Sequence, residues 1–139
     1  MSYYVVDVES DGPIISVHSM VCFGAVKVTP ELDKTFYGKI KPVSYKWDPR
    51  ALAISGFTRE QHETFDEPVN VLDEFVSWVM NTTIGNPIFI SDNNGYDFAW
   101  MNYYLLRYSP RGNPFGWSSR RIGDLYCGMV KDTKATWKH

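Results

Sequence analysis

The segment Val5–Pro13, VVDVESDGP, decides the reading of this chain. Tyr3 to Val8 is β-branched and aromatic, too short for a helix, and ends in the turn cluster SDGP, which predicts a first strand buried on both faces. Side chains two apart on a strand share a face, so Asp7 and Glu9 emerge together from an apolar strand. Like charges that close raise a carboxyl pKa or call for a cation, and hard ions such as Mg²⁺ or Mn²⁺ prefer carboxylate oxygen. A D-x-E triplet arises by chance in about half of chains this long. Its weight here comes from position, since ligands gather at the carboxyl ends of strands in α/β sheets.

Working outward, Met20–Thr29 and Lys34–Pro42 alternate as two further strands joined by a turn around Pro30–Asp33, giving an antiparallel meander with the first. Between Val43 and Glu67 the pattern breaks into short helical pieces, where Thr58 with Gln61 resembles a capping box. From Pro68 the apolar positions Val69, Leu72, Phe75, Val76 and Val79 recur at helical spacing, predicting an amphipathic helix that ends near Asn81. Pro87–Ser91 is a short apolar strand, Asn94-Gly95 marks a turn, and Asp97–Tyr108 is long enough for a helix. Arg121–Leu125 predicts a last strand leading into a helix from Tyr126 to about Lys131. Strands first and strand–helix alternation afterwards give an α/β fold with a mixed sheet.

The chain has 139 residues, 44% hydrophobic and 22% charged, which excludes disorder and collagen-like repetition. A single domain of this length buries a sufficient core without a structural metal, so any metal serves chemistry. Cys22 and Cys127 lie far apart and form no CxxC pair, which points to buried thiols in a reducing, cytoplasmic setting. The start MSYYVVDVES has no basic region ahead of an apolar stretch, and no run is long enough to span a membrane. The net charge of −2 is unevenly spread: residues 1–100 carry −7 and residues 101–139 carry +5. Such asymmetry lets one molecule hold a cation and a polyanion side by side, with Arg107, Arg111, Arg120 and Arg121 as candidate contacts to a phosphate backbone.

A second constellation lies in SDNNGYDFAWMNYYL, where Asn93 precedes Asp97 at the start of a helix that directly follows a strand. Asp97 either complements the helix dipole or is aimed at the edge bearing Asp7 and Glu9, completing three carboxylates around one or two metals.

Together, VVDVESDGP and NNGYDFAWMNYYL resemble the first two motifs of the DEDD-type 3'-5' exonucleases, the ribonuclease H-like superfamily of proofreading exonucleases, oligoribonuclease and ribonuclease T. CFGAVKV, ISGFT and RRIGDLYCGMV fit the flanking text, so the resemblance spans nearly the whole chain, 1–139, as one domain. It implies a central mixed five-stranded sheet flanked by helices, two Mg²⁺ or Mn²⁺ ions held by Asp7, Glu9 and Asp97, and hydrolysis of single-stranded RNA or DNA from the 3' end. It further implies substrate contacts from the Ser10 backbone and from Asn93, and a homodimer. Met20 or Phe65 is a candidate wedge between bases. The resemblance departs at the third motif, H-x4-D or Y-x3-D, which supplies a general base and a fourth acid: neither spacing follows Asp97, and His139 is the last residue. The expectation is a domain cut before its last helix, with Asp124 a helix-start residue and His139 a frayed terminal histidine in preference to a base; the alternative is a binding module of the same fold with impaired turnover.

Overall fold

The computed structural model describes residues 1–138, arranged as a five-stranded sheet in the order β3-β2-β1-β4-β5. The strands are β1 (Ser2–Ser10), β2 (Met20–Lys27), β3 (Thr35–Lys39), β4 (Pro87–Ser91) and β5 (Ser119–Arg121). The helices are α1 (Pro49–Ser55), α2 (Arg59–Glu63), α3 (Pro68–Thr82), α4 (Asn94–Tyr108) and α5 (Ile122–Val130). β1 to β3 pair antiparallel, whereas β1–β4 and β4–β5 are parallel, as the strand–helix alternation of the second half requires.

The central strand is covered on one face. Tyr4, Val6 and Val8 of β1 are buried against α3 and α4 in a core with Phe23, Phe75, Val79, Trp100 and Tyr104. Tyr3, Val5 and Glu9 on the opposite face are half-buried and Asp7 is exposed, which corrects the expectation of burial on both faces. The reason is the arrangement of helices: both long ones pack on the even-numbered side. Aromatic edge-to-face contacts such as Phe23–Phe75 and Phe89–Phe115 fill that side, and the Tyr104 hydroxyl accepts the Met20 amide proton at 2.8 Å.

Local signals held where the chemistry is short-range. Thr58 and Gln61 form the reciprocal capping box, and α3 and β4 lie where the apolar spacing put them. Two boundaries differ. α4 begins at Asn94 rather than Asp97, because Asn94-Gly95 is its first turn and the Tyr96 and Asp97 amides bond back to the Asn93 carbonyl. The segment to Leu125 is helical, β5 stopping at Arg121; Arg121 pairs with Asp124 across the first turn of α5, the place expected for Asp124. Cys22 is buried, but Cys127 is half-buried, its thiol facing the Thr133 and Ala135 carbonyls of the segment after α5. Met20 is fully buried and so cannot wedge between bases, and Phe65 packs on Phe57 beside Leu52. His139 lies outside the described residues.

The loop after β1 is anchored by a charge inside the protein. Asp11 is fully buried, accepts the Ser19 amide proton at 2.6 Å and pairs with Arg59 of α2 at 3.2 Å. His62, also fully buried, lies 3.9 Å from the same carboxylate, beyond hydrogen-bond reach, and burial lowers its pKa so that it stays neutral. Asp11 therefore depends on Arg59 for its counter-charge. Arg59→Ala, which strands that buried carboxylate, is expected to lower unfolding stability by about 3 kcal/mol in urea denaturation, with Arg59→Lys recovering only part. A loss below about 1 kcal/mol would show that the pair does not anchor the loop.

Candidate active site

The three acids predicted from sequence lie at one end of the sheet. Asp7 and Glu9 project from the odd-numbered face of β1, and Asp97 is buried in the first turn of α4, at the carboxyl end of the neighbouring β4. The parallel pairing of β1 with β4 ends at Val5 and Ile90, so the Val8 amide further along has no strand partner on that side. Asp97 fills the gap: its Oδ1 accepts the Val8 amide proton at 2.9 Å, which fixes the helix start against the strand carrying the other two acids.

The electrostatics match the burden read from sequence. Burial raises the pKa of Asp7, with the charge of Asp92 adding to it. Glu9 is raised by burial and then by Asp7 and Asp97, and Asp97 by burial and then by Asp7 against the opposing Val8 hydrogen bond. Among the described residues none of the three is paired with Lys or Arg. Hard oxygen donors in mutual repulsion are the chemistry a divalent cation relieves, and in that respect the residues fit Mg²⁺ or Mn²⁺. As placed, no three His, Cys, Asp or Glu side chains of the described residues close into a metal cage.

Asp92 is the residue that sequence reasoning missed. It lies in the turn between β4 and α4, close enough to Asp7 for its charge to raise that carboxyl's pKa, and it pairs with Lys138. Its approach to Asp7 is a tertiary feature that no local pattern signals. Asn93 is exposed at the N-cap position of α4, and its side chain caps nothing in the helix. With Asp92, Arg121 and Lys138 it lines a cleft of about 540 Å³, to which Asp7, Glu9 and Asp97 themselves contribute no lining. Ser10 is buried, its hydroxyl bonded to the Gly12 carbonyl at 2.8 Å and to the Tyr96 hydroxyl at 2.5 Å. That leaves only its backbone for a substrate. Of the basic candidates, Arg121 lines the cleft and Arg120 stands over the Tyr3 ring at 5.7 Å. Arg107 and Arg111 lie toward the far end of α4, roughly 15 Å or more along the helix from Asp97, and Arg111 is tied to Asp73 and Ser77 of α3.

A mixed sheet of this order with acids at the end of its central strand defines the ribonuclease H-like class. No protein-family model matches the chain. E. coli exonuclease I bound to a dT13 oligonucleotide superposes with a TM-score of 0.74 at 18% identity, over 99% of this chain and 32% of that one. The zinc-bound form of its complex with single-stranded DNA gives 0.72 at 18% identity, over 93% and 29%. The chain thus spans about a third of exonuclease I, and at this identity the likeness is one of fold. In sequence, the 3'-5' DNA exonuclease Cap18 of Escherichia coli is 32% identical over 136 residues, 96% of this chain and 70% of that protein. The chain belongs to the DEDD-type 3'-5' exonuclease family.

Raised carboxyl pKa values carry a stability consequence. Below the ordinary carboxylate range Asp7 and Glu9 are protonated in both folded and unfolded chains, and nothing is lost. Above their raised folded values both are ionised, and the folded state bears the full repulsion. Asp7→Asn is therefore expected to raise Tm by about 1–2 °C at pH 7 in EDTA, a gain that fades as pH falls toward 4. A lower Tm for the variant at pH 7 would contradict the repulsive site.

Proposed function

We propose that this chain removes nucleotides from the 3' end of single-stranded DNA by two-metal hydrolysis at Asp7, Glu9 and Asp97. The observation that carries this reading is the meeting of the D-x-E of β1 with the helix-start Asp97 at one sheet edge, in a chain 32% identical to a 3'-5' DNA exonuclease. DNA is favoured over RNA because that relative is named for DNA. By the family resemblance, Asp7, the most open of the three, would hold both cations, Glu9 would hold the one that activates water and Asp97 the one that stabilises the leaving oxygen. Divalent cations bound there, Mg²⁺ or Mn²⁺, supply the positive charge that promotes water attack on phosphorus and the departure of the 3' oxygen.

The chain's own residues do the positioning. The Val8 amide holds Asp97 in orientation, the Ser10 backbone faces the terminal sugar, and the uncapped Asn93 side chain and Arg121 hold the strand beside the cleft. Free Cys22 and Cys127 support a cytoplasmic setting, and no helix of the described residues is long and apolar enough to cross a membrane. Pairing into a homodimer rests on the family resemblance, and sedimentation reads it.

One observation favours a second reading, a nucleic-acid-binding module with impaired turnover. No H-x4-D or Y-x3-D follows Asp97, and neither remaining described histidine replaces the base: His62 is fully buried, and Nδ1 of His18 accepts the Ile14 amide proton at 3.1 Å. Incubating the chain with 5'-labelled single-stranded DNA or RNA in Mg²⁺ or Mn²⁺ separates the two. Stepwise shortening from the 3' end, abolished by EDTA and reduced at least about 100-fold by Asp7→Ala, is the expected result. Binding without products would establish the second reading, and internal nicks would contradict both.

A further inference from the structure

Asp7 and Glu9 stand on a strand end that has lost one neighbour. Past Val5 the β4 side of β1 has no strand partner, and the register with β2 shifts between Glu9 and Ser10. Two contacts from the first turn of α4 replace the missing strand. One is the bond from the Val8 amide to Asp97, which occupies an oxygen of a metal-ligand carboxylate. The other is the 2.5 Å contact between the Tyr96 hydroxyl and Ser10 Oγ, which spends no ligand.

The direction of that second bond follows from its neighbours. Ser10 donates its proton to the Gly12 carbonyl at 2.8 Å, so Ser10 Oγ accepts from Tyr96. Gly12 packs directly against the His18 ring, so closely that an added Cβ would stand 2.2 Å from it. His18 in turn is held by the Ile14 amide, and Asp11 by Arg59. The chain Tyr96–Ser10–Gly12 therefore ends on a fixed loop, and Tyr96 is the residue immediately before Asp97.

We propose that Tyr96 is a positioning residue: its hydroxyl sets the separation between the strand end bearing Glu9 and the helix start bearing Asp97, and so the metal affinity of the site. This rests on the exonuclease reading of the three acids. It assigns the Ser10 side chain a purely internal role, with both its proton and an acceptor site engaged within the protein.

The test is titration of Mn²⁺ alone, followed by electron paramagnetic resonance, into the unaltered chain, Tyr96→Phe, Ser10→Ala and the double variant, with single-stranded DNA shortening measured in parallel. Removing a bond that orients a ligand-bearing segment is expected to weaken Mn²⁺ binding about 10-fold in Tyr96→Phe. Turnover falls by a similar factor while KM for DNA changes less than about twofold, a split that general loosening of the fold would not give. Ser10→Ala removes the same bond from its other end, so it is expected to fall in the same direction, with the double variant no worse than the poorer single. Unchanged Mn²⁺ affinity in Tyr96→Phe, or additive losses in the double variant, overturns the proposal, as does failure of the unaltered chain to bind Mn²⁺. Should the unaltered chain bind Mn²⁺ yet leave DNA intact, the exonuclease reading fails while the Mn²⁺ comparison still decides the role of Tyr96.

Discussion

Repulsion among Asp7, Glu9 and Asp97 is the constraint around which this protein is built. Three carboxylates can be held at one sheet edge only if something else supplies the energy, and the supply is visible in β1 itself. Its even positions, Tyr4, Val6 and Val8, are buried among the aromatic side chains of α3 and α4, while its odd positions carry the acids. Burying a Val side chain contributes roughly 1.5–3 kcal/mol, enough for a few such residues to offset the burial of charge, and after it the repulsion, that raise the three carboxyl pKa values. Period-two alternation thus places the source of stability and the source of strain on opposite faces of one strand.

The same logic explains why the site lies where it does. Antiparallel β2 continues alongside β1 to its end, but parallel β4 stops pairing at Ile90, leaving the Val8 amide without a strand partner beside the acids. α4 starts in that gap, and Asp97 with Tyr96 completes the edge. On the other side the Asp11–Arg59 pair holds the loop that follows β1, so the strand end is gripped from α4 and from α2. The late basic residues are divided between structural ties and the cleft. Arg111 ties the loop after α4 to α3, and Arg121, Lys134 and Lys138 border the cleft with Asp92 and Asn93.

How much of this was legible in sequence follows the range of each interaction. Asp7, Glu9 and Asp97 were legible because strand alternation and a helix start are set by neighbours in sequence, and so was the Thr58–Gln61 cap. Asp92 was not, since its approach to Asp7 comes from the tertiary placement of the turn between β4 and α4, which no local pattern encodes. The one-sided burial of β1 was missed because Val-rich text reads alike for a strand covered once or twice; the helix packing decides. The α5 boundary was lost because Ile122–Leu125 is short, with apolar residues only at its ends, and such a run suits either conformation until Asp124 closes on Arg121.

Anomalous diffraction from crystals soaked in Mn²⁺ tests the central claim most directly, because it locates the cation without reference to turnover. The account predicts density between the carboxylates of Asp7, Glu9 and Asp97, with Asp97 still accepting the Val8 amide proton through its other oxygen. Mn²⁺ bound elsewhere, with these three side chains free of it at saturating concentration, would contradict a metal site at this sheet edge.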